Sequence, residues 1–240
     1  MTVDPYRAIA PLYDRVLSPL LRTIRRDIAT YIGYRQFRSV IDLCCGTGEQ
    51  LRLLVGQERT LCGIDNSLAM LAQAKQRGPE SIEYHLLDAE QTTFSTNTFD
   101  CAIISFALHE KHPAAARAVY ENAWRLVRPG GAIVLADFSQ VPAGLKGFVY
   151  GHLAIPLVER LAGRDHYRHY RRWMENGALE SFIGGQGSGA DVISRPFGRC
   201  CLCCAVDVTA AGLSLNNSLV LLNRALADQR ITRKEGSDGR

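Results

Sequence analysis

Between Ser39 and Phe138 the chain repeats one pattern: a short, almost wholly apolar segment, a turn, then a stretch with helical spacing of apolar residues. Ser39–Leu43, Thr60–Ile64, Ile82–Leu87, Thr98–Phe106 and Ala132–Phe138 read as strands. Residues 50–54, 68–74 and 114–127 read as helices, with Ser67 placed to cap the second of them. Strands that lack polar alternation must be covered on both faces, which calls for a parallel sheet between two helix layers. Strand and helix in strict alternation imply right-handed crossovers, so the expected fold is doubly wound, Rossmann-like α/β. A chain of 240 residues is long enough to close such a sheet into one domain.

The flanks read differently. Residues 1–38 form a helical lead-in, amphipathic from Tyr6 to Tyr31, and 39–138 are the core. Residues 145–183 read as a helical insertion after the fifth strand. Cys200–Val206 and Leu219–Leu222 are expected to add the last two strands, and the polar tail 228–240 is expected to be disordered. A net charge of +4 neither demands nor excludes an anionic partner. MTVDPYRAIAPLYDR has no apolar run behind a basic start, so no signal peptide is expected. The stretch from Phe148 to Ala162 is interrupted by Gly151, His152, Pro156 and Glu159 and cannot span a bilayer. A cytoplasmic location follows as an expectation, with the eight cysteines as free thiols.

The chemistry concentrates in VIDLCCGTGEQ, Val40 to Gln50. A strand ends at Asp42-Leu43, turns through Cys45-Gly46-Thr47-Gly48 and enters a helix. Glycines there allow close approach of backbone to a ligand. The dinucleotide fingerprint G-x-G-x-x-G fails in this segment, and Asp42 and Glu49 make a poor setting for a pyrophosphate. S-adenosylmethionine carries a positive sulfonium and amine, so carboxylates suit it, while the helix N-terminus would receive its own carboxylate. The next strand ends in Asp65, about 20 residues past the loop, where an acid can grip a ribose diol. The third ends in Asp88-Ala89-Glu90, placed to accept from an adenine amino group.

These residues resemble the class I S-adenosylmethionine-dependent methyltransferases, in particular the quinone-biosynthesis C-methyltransferases and their small-molecule relatives. VIDLCCGTG, GIDNSLAML, LLDAEQTTF, FDCAIISFALHE and RLVRPGGAIVLADF carry the resemblance, in family order, and YRAIAPLYD resembles the family's lead-in. The resemblance implies that Asp42 and Gly46, Thr47 and Gly48 hold the methionine part, Asp65 the ribose, and Asp88 with Ala89 the adenine, with Met70 and Leu68 packing beside it. Cys44, Asn66 and Ser105, at the same strand ends, complete the candidate set. Cys44 departs from the pattern, standing where many members carry the first glycine.

Transfer needs alignment and exclusion of water, with a general base only where the acceptor must lose a proton. His109, after the fourth strand, is the candidate base; it equally suits a loop hydrogen bond that shapes the pocket. His112 reads as a solvated loop residue. In the insertion, Leu145, Val149, Leu153, Leu157 and Leu161 form an apolar stripe, and Tyr167, Tyr170 and Trp173 alternate with Arg168, Arg171 and Arg172. The patch suits peripheral contact with an anionic membrane surface, or a packed aromatic face with a solvated basic one. Nucleic acid is not expected as a partner. Cys200-Cys201-Leu202-Cys203-Cys204 fits a buried strand better than a metal site, since neighbours in a strand point to opposite faces; no metal is expected. The expected activity is methyl transfer to a small-molecule or lipid-like acceptor such as a quinone precursor, phospholipid amine or aromatic metabolite. The alternatives are a cofactor-binding protein of this fold without catalysis, or a thiol or metalloid methyltransferase using the C-terminal cysteines.

Overall fold

The computed structural model describes residues 10–56, 58–140, 152, 155–156, 160, 163–185, 190–194 and 201–208, with the backbone alone for 10–20. Helix α1 (Ala10–Tyr34) leads into β1 (Ser39–Leu43), α2 (Glu49–Arg52), β2 (Thr60–Asp65), α3 (Leu68–Arg77), β3 (Ile82–Leu86), β4 (Phe99–Ser105), α4 (Pro113–Leu126) and β5 (Val127–Phe138). Helices α5 (Arg164–Glu175) and α6 (Ala178–Gly185) follow, then β6 (Asp191–Ser194) and β7 (Cys201–Asp207). The seven strands form one sheet in the order β3-β2-β1-β4-β5-β7-β6. The first five are parallel, and β7 runs antiparallel to both β5 and β6. This is the expected doubly wound layer.

Successive strand residues serve opposite layers, which is why polar alternation is missing from the sequence. Val40, Ile103 and Val134 pack with Ile24, Ile28 and Ile32 of α1. Ile41, Ile104 and Ile133 pack with Val119, Ala123 and Leu126 of α4. Each such fully buried aliphatic side chain contributes roughly 1.5–3 kcal/mol.

Local chemistry sets the helix ends. The Ser67 hydroxyl accepts from the Met70 N–H at 3.1 Å, as the cap reading requires. His112 is exposed, as a solvated loop residue should be, and also caps α4, its Nδ1 accepting from the Ala114 N–H at 3.4 Å. The Pro-Gly-Gly after α4 is not a free turn. It lies within β5, where the Gly130 N–H donates to the Val208 carbonyl at 2.7 Å and Val208 N–H donates to Gly131 at 2.9 Å. Of the two late strands, β7 lies where the cysteine run placed one. Strand β6 falls at Asp191–Ser194, too short and too polar at its ends to show a period. Leu219–Leu222, the 228–240 tail and all five residues of the Leu145–Leu161 stripe lie outside the described residues. No described helix is long and apolar enough to cross a membrane.

Candidate active site

A cavity opens at the carboxyl ends of β1, β2 and β4, where open α/β sheets bind ligands. Asp42, Cys44, Gly46, Thr47, Asp65, Asn66, Met70 and Ser105 all line it. Eight residues singled out from the sequence thus meet at one place, drawn from three strand ends and the first turn of α3.

The loop after β1 is shaped by left-handed backbone. Gly46 has φ 53° and Gly48 φ 72°. A Cβ on Gly46 would point into open space, toward the ligand volume, whereas one on Gly48 would lie 2.2 Å from the Tyr84 hydroxyl oxygen. Gly48 therefore sits under the loop, off the cavity, as a packing requirement. Cys44, in the place of the family's first glycine, also has φ 66°, so the position keeps the glycine-like conformation at some steric cost. Phe106, just past β4, is likewise left-handed at φ 53° and lines the same cavity. Two non-glycine residues held this way on neighbouring strand ends store strain at the site.

Asp42 is buried, and no described residue hydrogen-bonds to its carboxylate. Burial pushes its pKa up to about 8, Arg25 pulls it down, and the Asp65 carboxylate adds to the rise. Asp65 behaves differently: its Oδ2 accepts from the Gly46 N–H and its Oδ1 from the Ser67 N–H, both at 2.8 Å. Asp65 thus ties the glycine loop to the start of α3 while facing the cavity.

Asp88 and Ala89 lie beyond the cavity lining, just after β3, Asp88 exposed and Ala89 buried. The Asp88 Oδ1 accepts from the Glu90 N–H at 2.9 Å, and the Ala89 carbonyl accepts from Asn122 at 3.0 Å. Leu68 is 66% exposed and Met70 is buried.

Arg25 gave no signal in the sequence. It projects from α1 into the cavity and ion-pairs with Glu49, and the neighbouring Gln50 side chain donates to the Arg25 carbonyl at 3.2 Å. The contact spans 24 residues of sequence, and no local motif announces it. Helix α2 is a single turn, so a ligand carboxylate here would draw on the Arg25 guanidinium more than on a helix dipole.

His109 does not line the cavity; its neighbours Glu110 and Lys111 do. It is buried with its Nδ1 2.7 Å from Asp137 Oδ1. Asp137 accepts from the N–H groups of Leu108, His109 and Phe138 as well, so its oxygens are acceptors and Nδ1 is the donor. In the neutral imidazole the lone pair is then on Nε2. It lies 3.9 Å from Glu110 Oε1, and His166 of α5 approaches the same oxygen at 3.7 Å.

On α5, Tyr170 is buried, and Tyr167 and Trp173 pack against the core. Arg168 pairs with Asp165, and Arg171 with Glu175, on the exposed face. Arg172 turns instead into a second cavity with Lys111, Arg117, His169, Trp173 and Phe182. The cysteines of β7 alternate: Cys201 and Cys203 join one core layer, Cys204 the other. Burial holds the Cys203 thiol well above its usual range. They do not converge on the cavity; Cys200 lies outside the described residues.

A glycine loop with carboxylates at successive strand ends of a doubly wound sheet is the arrangement expected from the resemblance to the class I S-adenosylmethionine-dependent methyltransferases. Comparison with known proteins agrees. Residues 40–131 match a family described as "Methyltransferase domain". The 2-phytyl-1,4-naphtoquinone methyltransferase of Thermosynechococcus vestitus is 35% identical over 56% of this chain and 63% of its own length. The demethylmenaquinone methyltransferase of Renibacterium salmoninarum is 27% identical over 94% of this chain and 92% of its own. The ubiquinone/menaquinone biosynthesis C-methyltransferase UbiE of Klebsiella pneumoniae is 29% identical over 69% and 71% respectively. The chain spans less than two thirds of the first of these, and 62% of the Beutenbergia cavernae demethylmenaquinone methyltransferase, at 31% identity. Among solved structures, an O-methyltransferase family protein from Burkholderia thailandensis aligns with TM-score 0.62 at 18% identity, over 84% of this chain and 60% of that one. The DhpI-SAH complex aligns with TM-score 0.58 at 17% identity, over 85% and 94%. Residues 40–131 are thus a match to a methyltransferase domain, and the sheet that carries them has the fold of the solved methyltransferases with which it aligns.

Proposed function

We propose that this protein methylates a ring carbon of a quinone precursor in its reduced, hydroquinone form, with S-adenosylmethionine as donor. The observation that carries the donor assignment is Asp42: a buried carboxylate without a hydrogen-bond donor from the described residues, facing a cavity beside a turn with no Cβ in the way. Such a group is costly unless a cation meets it. An ammonium or sulfonium offsets that cost, and Arg25 is at hand for the accompanying carboxylate. Asp65 would take the ribose hydroxyls. Asp88, Leu68 and Met70 offer an acid and an apolar edge for the adenine.

The bound donor supplies an electrophilic methyl whose transfer to a ring carbon leaves a neutral thioether and releases the ring proton. The chain's part is to align and desolvate. Phe106, Ala107 and Leu21 give the cavity an apolar wall suited to a flat ring. His109, fixed by Asp137, is the residue we assign to the acceptor's hydroxyl. The acceptor class is supported by the names of the quinone-methylating relatives, and a ring carbon by the relative named as a C-methyltransferase.

The test is incubation with isotopically labelled S-adenosylmethionine and a chemically reduced demethylnaphthoquinone bearing a short prenyl tail. Mass spectrometry should show one labelled methyl on the ring. Labelled donor that binds by calorimetry yet labels neither this acceptor nor any small molecule of a cell extract would favour a binding protein without catalysis.

A further inference from the structure

We propose that His109, Glu110 and His166 form a site for one divalent first-row transition-metal ion at the rim of the cofactor cavity. One ligating atom from each residue lies within 4.8 Å of the other two. The His166 Nε2 and Glu110 Oε1 are 3.7 Å apart, and the His109 Nε2 and that same oxygen 3.9 Å. Atoms bound to one ion at about 2.0–2.1 Å stand roughly 2.9–3.4 Å apart. Closing these two separations by about half an ångström, within the reach of side-chain torsions, brings them to that spacing.

A second observation points the same way. The Asp137 carboxylate, 1% exposed, holds the His109 Nδ1 at 2.7 Å and is itself fixed by three backbone N–H groups. A carboxylate behind a ligating imidazole sets its tautomer and directs Nε2 at the ion. Phe138 packs on the His109 ring at 4.7 Å and Tyr170 at 6.5 Å, which restricts ring rotation and access of water. The donor set decides the metal. Two imidazoles and a carboxylate suit zinc, cobalt, iron or manganese and leave positions open, whereas calcium and magnesium prefer oxygen alone.

Glu110 lines the cavity, so the open positions face the place assigned to the acceptor. Resting on the reading above, the ion would bind the acceptor's hydroxyl oxygen there and favour its anion. In that role His109 acts on the acceptor's hydroxyl through the ion and not as a direct base, because one lone pair on Nε2 cannot hold both a metal and a proton.

The test uses the full chain freed of metal by a chelator, titrated with Co(II). Visible d–d absorption should saturate at one equivalent, with tenfold to hundredfold weaker binding in Asp137→Asn and loss of the signal in His166→Ala. The methyl donor should still bind His166→Ala by calorimetry, which separates this proposal from the assignment of the donor site. In the wild type, pulsed electron paramagnetic resonance of bound Cu(II) should show two imidazole nitrogens. No absorption at millimolar Co(II), an unchanged signal in His166→Ala, or Cu(II) coupled to fewer than two imidazoles would overturn the site.

Discussion

Replacing Asp42 by asparagine should make the free protein more stable and the donor complex weaker, with both effects tied to pH. The Asp42 pKa is raised from 3.8 to about 8, chiefly by burial. A rise of that size corresponds to an upper bound on the order of 5 kcal/mol between the two protonation states. The folded state keeps the proton where the unfolded chain has lost it, so stability should decline as pH rises from about 4 to about 8 and then level off. The Asp42→Asn variant has no proton to lose at this position. In calorimetric unfolding its advantage over the wild type should be absent near pH 4, grow with pH, and reach a few kcal/mol at about pH 8. Binding shows the opposite face of the same group. A cationic ligand needs the carboxylate charged, so donor affinity in the wild type should fall by up to about tenfold per unit as pH drops from roughly 7.5 to 6.

Titrations in two buffers of different ionisation enthalpy should reveal close to one proton released on binding near pH 6.5. Working near pH 6.5, about a unit or more below the usual α-amino range, keeps the ligand's own amine protonated. The Asp42→Asn variant should release none, show a flat profile, and bind about 10- to 150-fold more weakly at pH 7.5, the usual worth of hydrogen bonds to a charged group. An Asp42→Asn protein with unaltered pH dependence of unfolding, or with wild-type donor affinity, would refute the placement of a cation against this carboxylate.

Three further outcomes are expected. Arg25→Gln should weaken donor binding about 10- to 100-fold; unchanged affinity by calorimetry would confine Arg25 to tying α1 to Glu49. Gly48→Ala should cost about 2–4 kcal/mol in chemical denaturation, from the left-handed backbone and the collision with Tyr84. Tyr84→Phe, which removes a buried hydroxyl without a partner among the described residues, should be neutral or stabilising and soften the Gly48→Ala loss. Because acids on α5 match Arg168 and Arg171, the wild type should stay in the supernatant with anionic vesicles at low salt. Retention that salt releases, and that Gln at Arg168, Arg171 and Arg172 abolishes, would show that the insertion meets a membrane surface.

What the sequence made legible was whatever lies within one strand-turn-helix unit. Asp42 and Asp65 could be placed because a buried strand must end at a sheet edge, and a ligand site at that edge is built from whatever the strands carry there. Ser67 could be read as a cap because its partner is three residues away. Arg25 and Glu49, His166 and Glu110, and His109 and Asp137 could not, because each pair joins distant segments. Strand β6 escaped for a related reason: four residues show no period, and only pairing with β7 makes them a strand.

The same division separates the two halves of the chemistry. The proposed donor half rests on local motifs, so its charges can be read from strand ends alone: a buried carboxylate at Asp42, proposed for a cation, and a tethered one at Asp65, proposed for hydroxyls. The proposed acceptor half is assembled across the sheet, with Glu110 after β4, Asp137 at the end of β5 and His166 on α5 meeting around one imidazole. Helices α5 and α6 are held to the end of β5 by Trp173 donating to the Phe138 carbonyl at 3.2 Å and by Glu180 accepting from Ser139. A change of sequence in α5 would therefore alter what meets the acceptor without disturbing Asp42 or Asp65. That arrangement lets one donor-binding core serve different acceptors, since side chains from a separate helical layer complete the site on the acceptor's side.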